Sequence, residues 1–132
     1  MHFTAKQSVL TLAAASALAM LYVGAYQIRA VEHLSCPLFK GGCEAVADAP
    51  FARPFGIPDG FIAAAIYGVV ILLALFGPQE VWARYSLRGM TALAVVANIL
   101  GVFDMLRFGA YCFYCLLTTA LSPFLLWAAF LV

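Results

Sequence analysis

An all-α membrane protein, a four-transmembrane-helix bundle with one long extracytoplasmic loop between its first two spans, is the fold this chain predicts. Three observations predict it. Of the 132 residues 66% are hydrophobic and 10% charged, with a mean hydropathy of +1.02. An ordinary soluble domain is about 45–50% apolar, and a single water-soluble core of this length could not hide the excess, so lipid must cover part of it. Four apolar stretches approach the roughly 20 residues a membrane helix needs. Their connections are very unequal, and the longest carries cysteines. A net charge of +1 gives no footprint for nucleic acid, so none is expected as a partner.

The first span is Ser8–Ile28, rich in Ala and Leu. Lys6 before it and Ala17-Leu18-Ala19 within it imitate a cleaved signal peptide. The run exceeds the usual apolar core of about 7–15 residues, so a retained span is expected. The second, Gly60–Gly77, is short and draws on Ile57-Pro58-Asp59 for its start, with Pro58 tolerated in the first turn. Gly77-Pro78 ends it. A short polar loop, PQEVWARYSLR (78–88), is expected before the third span, Gly89–Leu106. A turn at Arg107-Phe108-Gly109 leads to the fourth, Ala110–Val132. The whole chain, 1–132, reads as a single membrane domain with both termini on one side.

The loop over 29–59 is too long to be structureless in a compact domain without a functional reason. Gly41-Gly42 breaks it, Cys43–Ala47 can form one or two helical turns, and Pro50 and Pro54 prevent a longer helix. Its charges, among them Glu32, Lys40, Asp48 and Arg53, face water.

Alternation of spans brings this loop and the turn before the fourth span to the same side. Cys36 and Cys43 lie in the loop, and Cys112 and Cys115 open the fourth span, so all four cysteines meet at one face. Positive charges do not orient the bundle: Lys6, Arg84 and Arg88 stand on one side against Arg29, Lys40, Arg53 and Arg107 on the other. Disulfides persist outside the cytoplasm. The cysteine face is therefore expected in the periplasm of a bacterial inner membrane, with cytoplasmic termini.

Two cysteines three apart, in AYCFYCLL (110–117), can turn both sulfurs to one side of a helix and form an exchangeable disulfide. If Cys112 occupies the first helical turn, free amides and the helix dipole favour its thiolate. Tyr111, Phe113 and Tyr114 surround the pair, with interfacial anchoring the plain alternative for Tyr111 and Tyr114. One pair on a mobile loop and one on a rigid helix suggest a thiol–disulfide relay. Its membrane end then needs a lipid-soluble electron acceptor, for which a quinone is the obvious candidate. A four-cysteine zinc site and two static disulfides compete, but zinc ligands usually come as paired short spacings and a CxxC bridge is a poor staple. No metal is expected. Haem attachment fails, because Leu116 follows Cys115.

CPLFKGGCEAV in the loop, FGIP (55–58) before the second span, and CFYC followed by LLTTA resemble, in order and spacing, the vitamin K epoxide reductase family in its bacterial form. The other membrane disulfide-oxidising family, of the bacterial disulfide bond protein B type, carries its CxxC early and its second pair later. The resemblance implies a bundle around a quinone (ubiquinone or menaquinone) that oxidises a periplasmic thioredoxin-fold partner. By analogy, Cys36 exchanges with that partner, Cys43 passes electrons to Cys112, and Cys115 reduces the ring, with Phe55, Tyr111 and Thr119 beside it. His33 matches nothing in the family pattern and reads as a surface histidine. Many relatives carry Ser or Thr where this chain has Ala49, which removes a polar group near the ring. Animal enzymes have Tyr at the position of Thr119, so a simple quinone rather than the epoxide is implied. The chain ends without the fused thioredoxin-like domain of many bacterial members, so a separate partner is expected. The alternative is an accessory subunit that keeps the fold within a larger complex.

Overall fold

The computed structural model describes residues 5–30, 32, 42–48, 56–76, 80–109 and 111–131. They form five helices: α1 Ala5–Gln27, α2 Gly42–Ala47, α3 Asp59–Phe76, α4 Val81–Phe108 and α5 Phe113–Leu131. Four of them, all but the short α2, are long and apolar enough to cross a membrane. The protein is a multi-pass membrane protein of all-helical fold. In the bundle α1 packs on α3 and α5, and α4 on α3 and α5, so α1 and α4 face each other diagonally.

The core is a stripe from each helix: Val9, Ala13 and Val23 of α1, Tyr67 and Val70 of α3, Leu87 of α4, Leu125 of α5. Leu72, Phe76, Phe103, Phe124 and Trp127 are exposed, as side chains facing lipid should be. Without a hydrophobic drive between helices in lipid, close backbone approach matters most. α1 and α3 achieve it at Gly24 and Gly60: a Cβ on Gly60 would lie 2.6 Å from the Gly24 amide nitrogen.

The expected polar loop over 78–88 is corrected by α4, which already begins at Val81 and runs for 28 residues. Ala83 and Leu87 are buried at a spacing of four, followed by Thr91 and Ala94, so the helical face is continuous. The charges that suggested a loop are accommodated along this helix. Arg84 is exposed, and the Arg88 guanidinium stacks over the Phe130 ring at 5.1 Å. At about 1.5 Å per residue α4 exceeds the roughly 30 Å hydrocarbon core, so its ends reach beyond it.

The remaining boundaries follow from local chemistry. α1 ends in a Schellman motif, with Arg29 N–H donating to the Tyr26 carbonyl and Ala30 N–H to that of Ala25. Arg29 occupies the left-handed position, φ 64°. Gly56, φ 78°, turns the chain into Pro58, whose carbonyl accepts the N–H of Ile62 and caps α3. Gly109, φ 85°, ends α4 by donating to the Met105 carbonyl. Gly42, expected as part of a break, is the first residue of α2. Pro123 inside α5 cannot donate to the Thr119 carbonyl, and the Ser122 hydroxyl does so instead at 2.9 Å.

Candidate functional site

Cys112 does not lie inside the first turn of the fourth helix. It stands just before α5, and its carbonyl accepts the Leu116 N–H at 3.0 Å, the N-cap relation. Its own N–H donates to the Met105 sulfur at 3.3 Å, and the residue is fully buried. Cys115, one turn on, is half-buried, and both thiols are free. A hydrogen bond from the Cys115 side chain, aided by the Cys115 and Tyr114 amides, holds the Cys112 thiol below its ordinary pKa, against the opposing effect of burial. Cys112 is thus the sulfur of the pair that more readily carries charge.

Beside the pair lies a cavity of about 280 Å³, walled by α1, α3, α4 and α5 and touched by Val46 of α2. Its lining is largely apolar, with Cys115, Thr118, Thr119, Asn98, Tyr67 and two carboxylates, Asp59 and Asp104, as the groups that can do chemistry. Asn98 organises one wall. Its Nδ2 donates to the Tyr67 hydroxyl at 3.0 Å and to the Ala94 carbonyl at 2.8 Å. Its Oδ1 lies 3.1 Å from the Thr118 hydroxyl and 3.4 Å from that of Thr119, each of which can also donate to the Cys115 carbonyl. A hydroxyl has one proton, so each threonine chooses between Asn98 and the helix. That choice leaves a polar patch able to turn toward a ligand.

The short helix α2 is fastened over this end of the bundle. The Tyr26 hydroxyl donates to Asp48 Oδ2 at 2.8 Å, and Arg29 reaches Asp48 Oδ1 at 3.3 Å. Gln27, 2% exposed, donates to the Ala47 carbonyl and to Asp59 Oδ1, while its own oxygen accepts the Gly60 N–H. One glutamine therefore ties α1, α2 and α3 together.

Of the residues expected at a site, Cys115 and Thr119 share the cavity wall and Cys112 stands beside it. Tyr111 is exposed and does not line the cavity. Tyr114 packs edge-on against Tyr22 of α1, ring centroids 5.4 Å apart. The backbone of Cys43 belongs to α2. Its side chain, together with Cys36, His33, Ala49 and Phe55, lies outside the described residues. Sequence reasoning passed over Asn98 and Asp104. Their signal was available, since a polar or ionisable residue within a membrane span is a functional candidate by default.

A dithiol beside a lined cavity, inside a four-span bundle, defines a membrane protein with the parts of a thiol redox centre. Comparison with known proteins agrees. The sequence pattern of the vitamin K epoxide reductase family matches residues 8–130, and the chain belongs to that family. It is also similar to the Thiol-disulfide oxidoreductase LTO1 of Arabidopsis thaliana, 31% identical over 97 residues. That match takes in 66% of this chain and 26% of the relative, so the chain spans about a quarter of the relative's length. No solved structure matches.

Proposed function

We propose that the protein is a thiol:quinone oxidoreductase. It takes electrons from a periplasmic thioredoxin-fold partner, passes them through Cys36–Cys43 and Cys112–Cys115, and delivers them to a membrane quinone, supporting disulfide formation. The observation that carries this reading is the position of Cys115 on the cavity wall with Thr119, one turn from Cys112 at the start of α5. The similarity to a protein named for thiol-disulfide exchange supports the first half of the reading.

The cavity fits the ring of a quinone. Its volume is near the low end of small-molecule sites, roughly 300–1,000 Å³, as suits a flat head group whose tail remains in lipid. Thr118, Thr119 and Asn98 would hold ring oxygens, and Ile62 and Ile66 would contact the ring. A bound quinone supplies an acceptor for two electrons and two protons.

The protein's own groups supply the rest. A partner thiolate attacks Cys36 of the Cys36–Cys43 disulfide, and the freed Cys43 thiolate then attacks Cys112 of an oxidised Cys112–Cys115 pair. The S–S bond there breaks and Cys115 leaves as the first reduced sulfur, about 4.5 Å deeper along the helix axis than Cys112. The partner's second thiolate attacks its mixed disulfide with Cys36 and leaves oxidised, and the freed Cys36 thiolate attacks Cys43, restoring the Cys36–Cys43 bond and releasing Cys112 as the second reduced sulfur. Reoxidation restores the Cys112–Cys115 bond and sends its electron pair to the acceptor. The fastening of α2 supports the transfer, since it holds the helix that carries Cys43 against the cysteine end.

The test is Cys115→Ser in the full chain, with a reduced thioredoxin-fold protein and a short-chain ubiquinone. Quinone reduction should stop, while one equivalent of partner thiols is still oxidised by Cys36–Cys43. Normal turnover in this variant would remove the pair as the electron exit and favour an accessory role.

A further inference from the structure

Asp104 is the only acidic residue of α4, and it lines the cavity four residues before the helix ends. An ionisable side chain in a membrane helix is costly and normally finds a partner or a use. Asp104 is half-buried and makes no hydrogen bond or ion pair with any described residue. The other cavity carboxylate, Asp59, is held by the Gln27 amide at 3.0 Å. Arg107, one turn on from Asp104, is exposed and not part of the cavity wall.

We propose that Asp104 carries a proton between water at the cysteine end and a quinone ring in the cavity. The inference rests on the quinone reading above. Oxidation of the dithiol by a quinone removes two thiol protons, forms one S–S bond and forms two O–H bonds on the ring. When Cys112 is a thiolate, Cys115 brings only one of the two protons. The second must come from water, and the two ring oxygens lie on opposite sides, so a wall group away from Cys115 has to deliver it. The Asp104 carboxyl gives its proton to a ring oxygen and is reprotonated by water from the cysteine end.

Placement supports the assignment. Asp104 lies six residues from Asn98 on the same helix, about 9 Å along the axis. It therefore lies between the end of α4 that leads to Cys112 and the polar patch of Asn98, Thr118 and Thr119. The other titratable groups on the wall are Asp59 and Tyr67 of α3 and Cys115 of α5. Cys112 stands beside them, and the wall residues from α1 and α2, Met20 and Val46, do not titrate.

The test uses the full chain in lipid nanodiscs loaded with a short-chain ubiquinone, compared with Asp104→Asn and Asp104→Glu. Infrared difference spectra between oxidised and reduced protein should show a carboxyl band change in the wild type. Asp104→Asn should lose it and Asp104→Glu should shift it. Quinone bound per protein should be equal in all three. Single-turnover oxidation of the dithiol should slow by about 100-fold in Asp104→Asn, the lower range for loss of a general acid, and recover in part in Asp104→Glu. A band and rate unchanged in Asp104→Asn would overturn the proposal while leaving the quinone reading intact. Loss of bound quinone in that variant would make Asp104 a binding group and overturn it too. A wild type that neither binds nor reduces the quinone would overturn both.

Discussion

The backbone amide of Cys112 donates to the sulfur of Met105, 3.3 Å away, and joins the start of α5 to the last turn of α4. Met105 is held from the other direction as well, because its carbonyl accepts the Gly109 N–H. One methionine thus fixes both ends of the turn that presents the redox pair. A thioether is a weak acceptor, but the alternative for a buried amide is no acceptor at all.

Met105→Leu keeps the volume and removes the acceptor. Leaving a buried N–H unsatisfied costs about 1–3 kcal/mol. The variant should unfold earlier by that amount in a denaturant titration, whereas substitution of the neighbouring, exposed Leu106 by Met should change little. Equal stability of Met105→Leu and wild type would show that the sulfur contact carries no energy.

The acidity of Cys112 depends first on the Cys115 thiol. A depressed pKa extends the thiolate to lower pH. With Cys36 and Cys43 replaced by Ala, ultraviolet thiolate absorbance should therefore begin to appear below the ordinary cysteine range. Cys115→Ala removes the largest cause and should move that onset upward. Cys115→Ser retains a hydroxyl donor and should move it less. An onset unmoved by Cys115→Ala would assign the effect to the backbone amides instead.

The sequence made some of this legible and hid the rest for identifiable reasons. Four spans could be read because apolar length is a local property, and the turn at Gly109 because glycine suits its left-handed backbone. The start of α4 was hidden by Arg84 and Arg88, whose charges resemble a loop although Ala83, Leu87 and Thr91 already keep a helical period. Cys112 fell one residue outside its helix, within the usual uncertainty of helix ends. The cavity wall depends on contacts no local pattern contains. Gln27 meets Asp59 across 32 residues, and Asn98 meets Tyr67 across 31.

Gly60→Ala should be among the most damaging small substitutions in the bundle. Its Cβ would meet backbone, the Gly24 nitrogen at 2.6 Å and the Met20 carbonyl at 2.8 Å, and backbone cannot swing aside. Overpacking of this kind costs about 1–3 kcal/mol or more. Separating α1 from α3 would also stretch the Gln27 contact to the Gly60 amide. Gly68→Ala, in open space on the same helix, is the control. Equal unfolding midpoints for the two would disprove the close crossing.

Asn98→Leu removes the group shared by Tyr67, Thr118 and Thr119. Each lost hydrogen bond costs about 0.5–1.5 kcal/mol. If the polar patch also receives a quinone, affinity for a short-chain ubiquinone should fall along with stability. Thr119→Tyr should fill part of the cavity and weaken quinone binding while loop disulfide exchange continues. Quinone affinity unchanged in both variants would place the ring elsewhere.

The fastening of α2 separates stability from transfer. The Arg29–Asp48 ion pair is 63% and 40% exposed at its two side chains, and such pairs contribute about 0–1 kcal/mol. Arg29 also sits at φ 64°, a conformation that costs a side-chain residue about 1–2 kcal/mol relative to glycine. Arg29→Gly should therefore leave the unfolding midpoint nearly unchanged, relief of strain offsetting the lost pair. Tyr26 is different: it is 4% exposed and donates to the same carboxylate at 2.8 Å. Tyr26→Phe leaves Asp48 without that donor and loosens α2 where it covers the cysteine end. In a Cys36→Ser, Cys115→Ser background the remaining thiols, Cys43 and Cys112, can be oxidised to each other. Their cross-linking rate should fall in Tyr26→Phe and in Asp48→Ala, and change least in Arg29→Gly. If all three variants cross-link at the parental rate, α2 does not need this fastening to bring Cys43 to Cys112.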